Sequence, residues 1–130
     1  MENKSEGLVM YDEVSIWLNN ALRQEIPEET AAFCLNLYDD GDGNWSMELI
    51  GSGKFDIEDD DWPCDEITDF NTREMPFTWN QPGRWERVLK EMISIIEEYL
   101  KHGEYADILK SRSGVGIGFV DGDIENLYIK

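Results

Sequence analysis

With 130 residues, 29 acidic and 11 basic side chains and a formal charge of −18, the chain has the length of one domain, and its charge disfavours nucleic acid or an anionic membrane surface as a ligand. Apolar residues at 41% and aromatics at 12% exclude the composition of a disordered chain, so a single core is expected over residues 1–130. The start MENKSEGLVMYDE lacks a basic segment followed by an apolar run, and no stretch approaches the roughly 18 apolar residues of a membrane span, which gives a soluble, cytosolic protein as the expectation.

Residues 1–9 read as a frayed start. Val14, Trp17, Leu18, Ala21, Leu22 and Ile26 then recur at spacings of three and four, which predicts a helix over residues 12–25, stopped by Pro27. Phe33, Leu35 and Leu37 alternate with Cys34, Asn36 and Tyr38, and Trp45, Met47 and Leu49 alternate with Ser46, Glu48 and Ile50. The turn residues Asp39-Asp40-Gly41-Asp42-Gly43-Asn44 between them predict a β-hairpin. A further short strand is expected at residues 54–57, and one or two short strands between residues 67 and 80. After Pro82-Gly83, an apolar stripe from Trp85 through Val88, Leu89, Met92, Ile93 and Ile96 to Tyr99 and Leu100 predicts the clearest helix of the chain, ended by Gly103. A shorter helix is expected over residues 104–111, then a second hairpin from GVGIGFV and IENLYIK across Asp121-Gly122-Asp123. In its first strand Gly114, Gly116 and Gly118 share one face, which leaves that face bare for something to approach closely. The fold class expected is α+β, with a mainly antiparallel sheet built from two hairpins and about three helices packed on one face.

The most distinctive stretch is residues 55–66, FDIEDDDWPCDE, where Asp56, Glu58, Asp59, Asp60, Asp61, Asp65 and Glu66 surround Trp62. So many carboxylates cannot be buried unpaired, so they face water or a partner. Together with Trp62 and with Asp39, Asp40 and Asp42 of the first hairpin tip they form the candidate partner-binding set, on a span (residues 39–66) whose only basic residue is Lys54. Trp62 has two readings: an exposed interface anchor that the acids surround, or a pin that holds the loop onto the sheet. Trp17 and Trp85, on apolar helix stripes, are assigned to the core.

Other chemistry is sparse. Asp40-Gly41-Asp42-Gly43-Asn44 begins like a calcium loop, but Trp45 stands where that loop needs glycine and Gly51 where it needs glutamate, so a polar turn is preferred. His102 ends a helix, Cys34 and Cys64 lack CxxC spacing and are read as reduced thiols, and no GxSxG elbow or phosphate loop is present. No catalytic residue, metal or cofactor is therefore assigned; a calcium-binding domain or a small enzyme using the acidic loops is the alternative to a binding protein.

The strings WSMELIGSGKFDIEDDDWPCDE and GVGIGFVDGDIENLYIK resemble small acidic bacterial proteins associated with the immunity proteins of polymorphic toxin systems, over residues 33–128. The resemblance implies a cytosolic inhibitor that protects its producer from a toxin, often a nuclease. The charge argument meets it independently, because domains that grip a polyanion are commonly basic and an acidic surface can occlude them.

Overall fold

The computed structural model describes residues 2–130. The chain runs α1 (Glu2–Leu22), β1 (Ala32–Gly41), β2 (Asn44–Ser52), a single 3-10 turn (Trp62–Cys64), β3 (Glu66–Asn71), β4 (Phe77–Asn80), α2 (Trp85–His102), α3 (Ala106–Leu109), β5 (Gly114–Phe119) and β6 (Glu125–Ile129). The fold is α+β with a mainly antiparallel sheet, as the sequence pattern indicates.

The sheet is nevertheless mixed. Its strand order is β3-β2-β1-β5-β6, with β4 also paired to β2, and β1 lies parallel to β5 from Ala32↔Gly114 to Leu37↔Phe119. A parallel pair needs a long crossover, which the intervening helices provide. β2 is long enough to hold two partners along one edge: its first half pairs with β4 from Asn44↔Asn80 to Met47↔Phe77, and its second half meets β3 at Ile50↔Asn71 and Ser52↔Glu66. Two expectations need correction. α1 begins at Glu2 and ends at Leu22, upstream of the expected limits at both ends, and residues 54–57 form no strand.

Alternation along β1 divides the interior in two. Phe33, Leu35 and Leu37 join the larger buried cluster with Val14 and Leu18 of α1, Val88, Met92, Ile96 and Tyr99 of α2, and Leu109 of α3. Ala32 and Cys34 join a smaller cluster with Ile50 and Trp62, against which Phe55 and Ile124 pack. Each fully buried Leu or Phe of β1 contributes about 1.5–3 kcal/mol over its exposed state, so the larger cluster carries most of the stability. Tyr99 ties the helices together: its hydroxyl donates to Asn19 Oδ1 at 2.6 Å and accepts the Tyr105 N–H at 3.2 Å.

Candidate partner-binding surface

The loop between β2 and β3 is shaped by its own carboxylates. Asp56 Oδ1 accepts the N–H of Glu58 at 2.9 Å and Asp59 Oδ1 that of Asp61 at 2.9 Å, so two aspartates fold the backbone into successive turns, in place of the strand expected there. Asp59 Oδ2 also meets Lys54 Nζ at 3.1 Å. The Asp61 N–H, and after it Lys54, hold the Asp59 carboxyl below the usual aspartate range. Ser52, fully buried at the end of β2, fastens the loop at its base. Its hydroxyl lies 2.7 Å from the Trp62 carbonyl and 2.9 Å from that of Lys54, and accepts the Lys54 N–H at 3.2 Å. A hydroxyl carries one proton, so it donates to one of these carbonyls at a time.

Trp62 is not an exposed anchor. Its side chain is 1% exposed, which corrects the reading that set it among the acids as a partner contact. The ring meets Phe55 edge-on at 5.1 Å between centroids, and the indole N–H donates to Asn126 Oδ1 at 3.3 Å. It fills the trough left by the β5 glycines. A Cβ on Gly116 would lie 2.8 Å from the Trp62 ring and 2.9 Å from Ile124, one on Gly114 would collide with the Phe55 ring, and one on Gly118 with the Asp123 carbonyl. The bare strand face is thus covered by the acidic loop and by the segment before β6, and Trp62 is a large apolar group pinned over glycine.

The acids themselves remain outside. Asp56, Glu58, Asp60, Asp61 and Asp65 are exposed, Asp59 is half-buried, and Glu66 is half-buried in an ion pair with Arg73 Nη2 at 2.7 Å. Asp39, Asp40 and Asp42 are exposed at the tip of the β1–β2 hairpin, where Gly41, Asp42 and Gly43 all take positive φ and Asp39 Oδ1 accepts the Gly41 N–H at 3.0 Å. The loop leaves β2 at Ser52 and the tip enters it at Asn44, so the two acidic groups spring from opposite ends of the strand, roughly 25 Å apart at the usual rise. The candidate set is therefore two surfaces.

A buried carboxylate escaped the sequence reading. Glu48, 4% exposed on β2, accepts the Tyr38 hydroxyl at 2.8 Å and faces Arg73 Nη2 at 3.2 Å. Glu66 and then Glu48 raise the Arg73 guanidinium pKa above its ordinary value, while burial, with the Glu48 hydrogen bond second, pushes the Tyr38 hydroxyl up to about 12. Nearby Cys34 is fully buried, and desolvation pushes its thiol up to about 12, so it is an inert thiol. A groove of ≈ 590 Å³ between α1 and residues 71–75 is lined by Trp17, Asn20, Gln24, Asn71, Arg73 and Met75, and gathers none of the residues the sequence nominated.

Trp85 is the other residue the sequence misplaced. Expected in the core, it is 52% exposed at the start of α2, its ring edge-on to Phe119 at 5.9 Å. Phe119 in turn meets buried Trp45 at 5.8 Å. The signal that could have found it is the preceding Pro82-Gly83-Arg84, which places Trp85 at the very first turn, where a helix has least neighbouring chain to cover it. Among the described residues no group of three or more His, Cys, Asp or Glu side chains is placed to hold a metal ion. Compared with protein-family models, with characterised proteins and with solved structures, the chain matches none.

Proposed function

We propose that the chain is a non-enzymatic binding protein that neutralises a basic protein partner by direct contact, in the manner of a cytosolic immunity protein acting on a toxin such as a nuclease. The observation that carries the reading is the state of the acids. Asp39, Asp40, Asp42, Asp56, Glu58, Asp60, Asp61 and Asp65 are exposed and, among the described residues, form no ion pair within the chain. Uncompensated charge of one sign costs a fold self-repulsion, and it accelerates encounter with a partner of the opposite sign. The same reading takes the fold as two hairpins, with the helices layered on one face of the sheet and the acidic loop on the other. The division of buried side chains into one cluster with all three helices and one around Trp62 supports it.

The test is co-expression with any basic, growth-inhibiting protein encoded beside this chain. Relief of the inhibition together with a purified complex is the expected result. Asp56, Asp60 and Asp61 replaced by asparagine should then slow association roughly tenfold at low salt and flatten its salt dependence, leaving dissociation nearly unchanged. A complex whose association is indifferent to salt and to these substitutions overturns the charge-led reading.

A further inference from the structure

We infer that Trp85 is the anchor of the partner surface, at the sheet end that carries the β1–β2 hairpin tip, and that it takes up an apolar side chain and a backbone carbonyl from a lysine- or arginine-rich segment of the partner. The inference rests on the proposed binding of a basic protein, and it moves the centre of that contact away from the acidic loop.

The indole N–H groups are the first ground. Trp17 donates to the Met75 carbonyl at 2.8 Å, Trp45 to the Gln81 carbonyl at 2.9 Å, Trp62 to Asn126 Oδ1 at 3.3 Å and Trp79 to Gln81 Oε1 at 3.0 Å. Trp85 alone of the five finds no acceptor among the described residues, and it is also the most exposed. A tryptophan combines apolar area with one directional donor, and such residues dominate the energy of protein interfaces.

Rigidity is the second. The edge-on series Trp45, Phe119, Trp85 fixes the ring from beneath, with Trp45 and Phe119 both buried. That contact along one edge restrains the ring before binding, which lowers the side-chain freedom lost when a partner arrives.

Charge names the occupant. Gln81 N–H donates to the Gly43 carbonyl at 2.8 Å, which brings the segment leading to Trp85 against the hairpin tip. By alternation Asp39 lies on the same sheet face as Leu37, one strand away from Phe119, and Asp40 and Asp42 follow at the tip. Asp121 and Asp123 are exposed on the turn after Phe119, beside Val120, itself 51% exposed. The cations nearby in sequence, Arg84 and Arg87, face Glu86 at 3.9 Å and Glu91 at 3.0 Å. An apolar anchor beside a hairpin tip that carries the exposed Asp39, Asp40 and Asp42 suits a basic segment better than a second copy of so acidic a chain.

The probe is a lysine-rich peptide with one central leucine, titrated at low salt into the full chain labelled with nitrogen-15, beside a peptide of equal length with serine for lysine. The Trp85 indole resonance and the amides of residues 39–42 and 120–123 should shift with the lysine peptide and not with the serine one. Trp85→Ala should weaken binding at least tenfold. Trp85→Phe, which keeps a ring without the donor, should weaken it less, and both variants should melt as cooperatively as the parent. Shifts confined to residues 56–61, with Trp85→Ala binding like the parent, overturn the anchor and leave the acidic-binding reading standing. Equal binding of the two peptides, or none, overturns both. Concentration-dependent self-association that moves the Trp85 resonance overturns the basic occupant in favour of a second copy.

Discussion

Trp62 and Trp85 occupy opposite circumstances from those their local sequence suggests, and the contrast shows how little a residue's neighbours in the chain say about its neighbours in space. Trp62 is surrounded in sequence by carboxylates and is 1% exposed, because three glycines on β5 open a trough that a large ring can fill. Trp85 opens an apolar helical stripe and is 52% exposed, because the stripe faces the sheet only from Val88 onward. The charged loop is an outward rim on an inward plug. The first turn of α2 is an apolar patch that the core does not reach. Stability should therefore concentrate at the first region and binding at the second.

The sharpest break of that contrast is Trp62→Ala. Removing a fully buried indole should cost about 3–5 kcal/mol, read as a lower urea midpoint at unchanged slope. A loss below about 1 kcal/mol would mean that the loop is not fastened as described. Alkaline pH probes the Trp62 cluster through Cys34 and other parts of the fold through Tyr38 and Tyr99. The Cys34 thiol is raised from 9.0 to about 12 by burial, and the Tyr38 and Tyr99 hydroxyls from 10.0 to about 12, again chiefly by burial. All three groups are raised in the folded state, so their contribution is intact below pH 9.0. It declines toward about 12 as the unfolded chain loses these protons first. Urea midpoints should fall through that window, and Cys34→Ala should flatten the first part of the fall.

Gly118→Ala comes next, at about 1–3 kcal/mol, because its Cβ would meet the backbone carbonyl of Asp123, which cannot swing aside as a side chain can. The smallest effect belongs to Trp85→Ala. Loss of its edge-on contact with Phe119 should cost about 0.5–1.5 kcal/mol, measured by the same urea titration. If Trp85→Ala destabilised as much as Trp62→Ala, the division between a structural and a binding tryptophan would collapse.

The sequence by itself determined the elements whose periodicity is local. The α2 stripe, the β1 and β2 alternation about an Asp-Gly turn, the one or two short strands expected between residues 67 and 80 (β3, which starts at Glu66, and β4), and β5 with its one-sided glycines are all present. The exposure of most of the acidic loop followed from the cost of burying unpaired charge. Tertiary structure decided what lies across the gaps. The parallel pairing of β1 with β5 joins residues that no local pattern relates, and the occupant of the glycine trough is set by which distant ring fits it. Glu48 could be buried only because Tyr38 and Arg73, brought beside it by strand pairing and by the turn after β3, satisfy its oxygens. Period and turn chemistry act over a few residues and are written in the chain. Burial depends on what arrives from the rest of the molecule, so the sequence left Trp62 open between anchor and pin and set Trp85 in the core, while the fold placed Trp62 inside and Trp85 at the surface.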